Sequence, residues 1–167
     1  MKRILLALTL LFITCIAQAQ SHNFVCNDGR LLWQKVYESQ ADIVSLLTNS
    51  GKFSDIKISD ALVSARMTSC RVDLNGRSTM QVPIFIRDYN MSCYVRIQQK
   101  EGRYRVTADN FMFYDRYDSN SSGTELEFWY IRRDKTAKPA FFDITAPILD
   151  DMLTPLFQAS NDLDNDW

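Results

Sequence analysis

Residues Met91–Asp115 read MSCYVRIQQKEGRYRVTADNFMFYD, and the short segment at their centre, Lys100–Val106 (KEGRYRV), decides how the chain is read. Val95 and Ile97 before it must share a face with Tyr104 and Val106 after it if the apolar side is to be continuous. Only a turn of even length allows this, because a slip of one residue sends every side chain to the opposite face. Two turns qualify, Glu101-Gly102 and the four-residue Gln99–Gly102; an odd loop would bury Arg103 and Arg105. The outer face of the hairpin then carries Tyr94, Arg96, Gln98, Arg103, Arg105 and Thr107. In the four-residue version Arg96 lies opposite Arg105, unfavourable by a few tenths up to about 1 kcal/mol, and such a pair calls for an anion.

Working outward, NFVCNDGRLLWQKVY (Asn23–Tyr37) holds two apolar runs parted by Asn27-Asp28-Gly29, a strong turn signal. The second run alternates, with Leu32 and Val36 on one side and Trp33, Lys35 and Tyr37 on the other. Ser39 is a candidate cap for a short helix through Ile43, Leu46 and Leu47 that stops at Asn49-Ser50-Gly51. Alternation resumes from Ile56 to Leu74, where Cys70 shares a side with Val72 and Leu74, and Asn75-Gly76 makes a turn. The run QVPIFI (Gln81–Ile86) reads as a strand whose Pro83 marks an edge or a bulge. Beyond the hairpin, a polar loop spans Asp115–Thr124, and Leu126, Phe128 and Tyr130 alternate as a further strand. In TAPILDDMLTPLFQ, Ile148, Met152, Leu153, Leu156 and Phe157 form a stripe of helical period, Pro147 fits the first turn, and Pro155 ends the helix near Thr154.

The KEGRYRV hairpin, together with Leu32-Trp33-Gln34-Lys35-Val36-Tyr37, resembles a family of uncharacterised domains with a TATA-binding-protein-like (TBP-like) fold. That family is known mainly from exported proteins of Bacteroidetes-type bacteria. The resemblance covers roughly Leu31 to Phe113 and extends to the closing helix. It implies an α+β class: a curved antiparallel sheet with two helices on one face, in the order strand, helix, four strands, helix. The order read from the residues agrees and adds a strand at Glu125–Arg132. The resemblance implies no activity and no catalytic residues.

The chain opens MKRILLALTLLFITCIAQAQ. Lys2 and Arg3, the apolar run Ile4–Ile13 and Ala17-Gln18-Ala19 fit a secretory signal peptide over residues 1–19. The run is about ten residues, half of what a bilayer crossing needs, and no later stretch is long enough, so no transmembrane segment is expected. Lipidation at Cys15 is the competing reading, disfavoured by the bulky Phe12-Ile13 before it. Removing 19 of 167 residues leaves 148, suited to a single domain over 20–158 with an acidic, fraying tail over 159–167. The chain is thus expected in the periplasm or outside the cell. Cutting there also takes the basic side chains from 19 to 17 against 20 acidic ones, a formal charge of −3. That charge and the export signal oppose a nucleic-acid partner, whatever a saddle-shaped sheet suggests. Three cysteines remain, and Cys70 and Cys93 point to apolar sides, as small buried hydrophobes or as a bridged pair.

Catalytic chemistry is scarce. His22, the one histidine, sits three residues past the predicted cut, where nothing is expected to hold it against a serine or cysteine as a nucleophile pair requires. Zinc spacings, HExxH and glycine-rich phosphate loops are absent, so no metal, cofactor or catalytic residue is assigned. Asp109, Asp115 and Asp118 keep a carboxylate-dependent hydrolase or isomerase open as an alternative. The Asp118–Gly123 loop opens like a calcium loop, but its twelfth position is Trp129 and Glu127 comes two residues early, leaving a plain polar turn.

The sheet offers the better candidate. If the helices cover Leu32, Val36, Val95, Ile97, Tyr104, Val106 and Phe128, the open face displays Trp33, Lys35, Tyr37, Tyr94, Arg96, Arg103, Arg105 and Trp129. Aromatic platforms interleaved with cations hold anions, sugars or peptides by stacking and charge-assisted hydrogen bonds. The same residues also serve as ordinary cross-strand pairs. The reading is therefore a non-enzymatic binding or interaction domain of the cell envelope, for an anionic ligand or another envelope protein. A structural subunit of an envelope assembly is a further alternative.

Overall fold

The computed structural model describes residues 22–60, 62–118 and 122–159. The leader with Cys15, the tail from Ser160 and the middle of the Asp115–Thr124 loop lie outside the described residues. Strands β1 (Phe24–Asn27) and β2 (Arg30–Tyr37) form a hairpin whose two turn residues, Asp28 (φ 47°) and Gly29 (φ 78°), both adopt the left-handed region. That geometry matches the twist of antiparallel strands and explains the Asp-Gly signal. Helix α1 (Ile43–Asn49) follows, capped by Asp42, whose Oδ1 accepts from the backbone N–H of Val44 and Ser45 at 3.1 Å each. Asp42, and not Ser39, is the cap. Then come β3 (Phe53–Ser59), β4 (Leu62–Arg71), the one-turn helix α2 (Ile84–Asp88), β5 (Tyr89–Lys100), β6 (Arg103–Asp115), β7 (Thr124–Glu125) and a second one-turn helix, α3 (Leu126–Tyr130). A π-type turn over Phe141–Thr145 runs into α4 (Ala146–Leu156).

All pairings are antiparallel, in the order β1-β2-β6-β5-β4-β3, with β7 beside β6. This is the expected α+β arrangement, with the four long strands β3–β6 and the two-residue β7 between α1 and the closing helix. The helices share one face. Ile43 and Leu47 of α1 and Ile148, Leu149, Met152 and Leu153 of α4 join one core with Val63, Met67, Val95, Ile97 and Val106 of the sheet. Cys70 and Cys93 are buried in the same core and unbridged. Pro155 lies inside the last turn of α4 and the helix closes one residue beyond it, close to the expected end.

Three bulges bend the sheet. Register shifts fall in β3 between Ser54 and Lys57, in β4 between Met67 and Cys70, and in β6 opposite Ser92–Tyr94. At each, one residue takes a positive φ: Asp55 at 54°, Ser69 at 51° and Asn110 at 52°. An extra residue on one strand turns it and increases its twist. The inward series consequently changes parity, from Ala108 to Phe111 in β6 and from Met67 to Cys70 in β4.

Three further sequence expectations are corrected. In β2 the faces are exchanged: Trp33 and Tyr37 are buried with Leu31, while Leu32 is half-buried and Val36 is 48% exposed on the other side. Two large aromatics bury more area than Leu32 and Val36, so burying them wins. Gln81–Ile86 is not a strand, because Pro83 precedes the turn of α2 and the Ile86 and Arg87 N–H groups close back on its carbonyl at 3.0 and 3.2 Å. Finally, Glu125–Arg132 pairs with β6 only through Thr124 and Glu125 and then coils as α3. Leu126 and Tyr130, four residues apart, face the core and Phe128 faces outward, which is helical spacing rather than alternation.

Candidate functional site

The face of the sheet opposite the helices is ordered by cross-strand rows. Val36 of β2, Arg105 of β6, Gln98 of β5 and Leu62 of β4 form one row. Gln34, Thr107, Arg96 and Ser64 form the next, and Asp109, Tyr94 and Arg66 the third. Most of its cations are engaged locally. Arg96 forms an ion pair with Asp109, Arg105 donates to Gln98 Oε1, and the Arg66 guanidinium lies 5.8 Å from the Tyr94 ring centroid. Solvated pairs of this kind contribute little to stability and mainly fix side-chain directions.

The hairpin tip differs. Lys100 pairs with Arg103, so Glu101-Gly102 is a two-residue turn, with Gly102 at φ 72°. Arg96 therefore faces Thr107, and the Arg96–Arg105 opposition allowed by the longer turn does not occur. Two like charges still stand opposite each other, Lys100 and Arg103, and neither has an ion-pair partner among the described residues. A groove of about 450 Å³ lies on one side of them, lined by Val36, Gln98, Gln99, Tyr104 and Arg105 as well as the pair itself. A second, of about 410 Å³, lies on the other side against Ser39–Asp42 and shares Gln99, Lys100, Arg103 and Tyr104. Asp42 lines that groove, but its carboxylate is engaged by Ser45 Oγ at 2.7 Å and by two backbone amides, and these bonds, the Ser45 hydroxyl first, hold its carboxyl below the usual range.

Of the eight residues proposed from the sequence, Tyr94, Arg96, Arg103 and Arg105 share the outer face and four do not. Trp33 is fully buried under α4, its Nε1 donating to Asp150 Oδ1 at 2.7 Å. Tyr37 stacks on Tyr104 with centroids 5.0 Å apart, and its hydroxyl donates to the Thr154 carbonyl at 2.8 Å. Lys35 also lies on the helix side, its Nζ reaching Thr154 Oγ1 at 3.0 Å. Trp129 sits in α3, stacked flat on Phe85 at 3.9 Å. Lys100 and Val36 are the site residues the sequence reading missed. Choosing the two-residue turn would have placed Lys100 opposite Arg103.

Asp109, Asp115 and Glu127 are each engaged separately. Asp109 is held by Arg96, Asp115 Oδ1 accepts from the Tyr117 N–H at 2.9 Å, and neither lines the tip grooves. Glu127 is turned inward and accepts from the Leu31 N–H at 3.1 Å, which removes it from the Asp118 loop. Among the described residues no group of three potential metal ligands occurs. Also among them, no helix is long and apolar enough to cross a membrane.

An antiparallel α+β sheet with one face covered by helices and a cationic hairpin tip defines the class. No protein-family model matches the chain. No curated protein matches it either. Two crystal structures are similar to it. One is a DUF4468 family protein from Bacteroides ovatus, with 16% identity, a TM-score of 0.48, and coverage of 85% of this chain and 96% of that one. The other is a TBP-like protein from Parabacteroides distasonis, with 12% identity, a TM-score of 0.48, and coverage of 78% and 92%. Both are of the kind that the hairpin and the tryptophan strand resemble. At these identities and scores, nothing about binding or chemistry transfers from either.

Proposed function

We propose that this chain is an exported, non-enzymatic binding domain of the cell envelope, and that the tip of the β5–β6 hairpin holds an anionic partner. One observation carries the reading: Lys100 and Arg103 stand directly opposite each other, without ion-pair partners among the described residues, between two grooves. A like-charged cross-strand pair is unfavourable by itself and is relieved by an anion that both side chains contact. Arg105 and the exposed Val36 extend the first groove, so the site suits an anion attached to an apolar or extended body. The export signal at Met1–Ala19 supports an envelope location, and the formal charge of −1 for the whole chain is a poor match to nucleic acid.

The test is binding of the chain to dextran sulfate, a polyanion probe, measured across salt concentration. The reading predicts salt-sensitive binding that is lost in the double variant Lys100→Glu, Arg103→Glu and retained in Arg66→Ala, which lies on the same face away from the tip. Equal binding by the double variant contradicts it.

A further inference from the structure

The opposite end of the sheet presents a second surface, built on α2 and α3. The Phe85 ring lies on Trp129 with an interplanar angle of 2°, Trp129 meets Phe113 edge-on at 5.9 Å, and Phe128 meets Trp129 edge-on at 5.8 Å. This aromatic stack fixes the two short helices to the sheet. It also holds two large apolar side chains in solvent: Ile84 is 63% exposed and Phe128 76%. Met80, in the turn just before α2, is 95% exposed. Single exposed apolar residues are unremarkable, but a group fixed around a stacked aromatic pair marks an interaction surface.

Cations border this group. Arg87 of α2 grips Asp88 with Nε and Nη2, at 2.8 to 3.1 Å. The Arg87 hydrogen bond first, and then the charges of Arg87, Arg116 and Arg71, hold the Asp88 carboxyl below the usual range, so three guanidinium groups crowd one carboxylate. Lys138 Nζ donates to the Trp129 carbonyl at 2.7 Å. Asp115, opposite Tyr89 in register, and Glu125, ahead of α3, are the nearby acids.

We infer that this end of the molecule docks on a bilayer surface rich in anionic phospholipid, with Met80, Ile84 and Phe128 entering the headgroup–acyl boundary and the arginines meeting lipid phosphates. Aromatic and aliphatic side chains with flanking cations are the composition of peripheral membrane attachment, and each cation adds attraction to a negative leaflet. A second copy of the chain is the weaker occupant, since a two-fold contact through this patch sets the arginine group against itself. The inference is independent of the hairpin-tip site, which lies at the other end of β5 and β6.

The full chain carrying Phe128→Trp is mixed with vesicles whose lipids bear bromine on the acyl chains, made either of phosphatidylcholine alone or with added phosphatidylglycerol. Quenching is taken as the difference from the parent chain, whose Trp33, Trp129 and Trp167 report the background and any tethering through the apolar run Ile4–Ile13. The inference predicts quenching that appears with phosphatidylglycerol and falls at least tenfold in lipid affinity when Ile84→Asp and Met80→Asp are added. These positions are exposed, so the urea midpoint should hold and serves as the control for folding. Absence of quenching, quenching that is equal on neutral vesicles, or quenching indifferent to the two aspartates overturns it. So does self-association in sedimentation that Phe128→Ser abolishes, because the patch then belongs to a dimer.

Discussion

Lys100 and Arg103 face each other across the two-residue turn of the β5–β6 hairpin, like charges at directly opposed positions on an exposed face. A free protein carries that repulsion as a cost of a few tenths up to about 1 kcal/mol. Arg103→Glu should therefore stabilise the free chain by that amount while removing anion binding. Urea unfolding of the variant checks it, and a lower midpoint contradicts the reading of the pair.

Asp150 ties α4 to the sheet. Its Oδ1 accepts from Trp33 Nε1 at 2.7 Å, Asn23 Nδ2 at 2.8 Å and Thr154 Oγ1 at 3.2 Å. Asp150→Ala leaves the indole N–H, buried with its ring, without a partner, so a loss of roughly 2 kcal/mol is expected in chemical denaturation. Asp150→Asn keeps an acceptor oxygen and should cost less.

The topology was legible because its signals are local and mutually consistent. Asp28-Gly29 and Gly102 demand their turns, and the parity argument across KEGRYRV fixed which side of β5 and β6 is buried. What misled was β2, where LLWQKVY has apolar residues at both parities and only the partner layer decides between them. Helix α4 chooses Trp33 by offering Asp150 as an acceptor on that side, a long-range match invisible in the strand itself. In α3, three alternating apolar residues mimic a strand, and the stack of Trp129 on Phe85, 44 positions earlier, cannot be read from spacing. Half the candidate site followed from the hairpin; Lys100 and Val36 awaited the turn length and the orientation of β2.

Alkaline pH should weaken the fold. Burial, then the neighbouring Tyr104 and Asp150, pushes the Tyr37 hydroxyl well above its ordinary range, and burial first does the same to the Cys93 thiol. A raised folded pKa means the folded state keeps a proton that the unfolded chain releases. The contribution is complete below the ordinary thiol and phenol values, about 8.5 and 10, and is lost as pH climbs above them toward the folded ones. Stability measured against pH should fall above about 9, and Tyr37→Phe should flatten the upper part of that fall while costing about 1 kcal/mol at neutral pH for the lost bond to Thr154.

The β6 bulge places Asn110 at φ 52°, a conformation that asparagine tolerates and β-branched residues do not. Asn110→Val should destabilise by roughly 1 to 3 kcal/mol, and Asn110→Gly should be neutral or stabilising. Thermal unfolding of the two variants separates a conformational demand from a side-chain contact.

The most direct measurement is a titration of the isotope-labelled chain with inorganic sulfate, followed through its backbone amide resonances. The account predicts saturable shifts centred on Gln99–Arg105 and Val36, absent in the Lys100→Glu, Arg103→Glu double variant. Shifts spread evenly over all basic residues, or centred away from the hairpin tip, would contradict an anion site there.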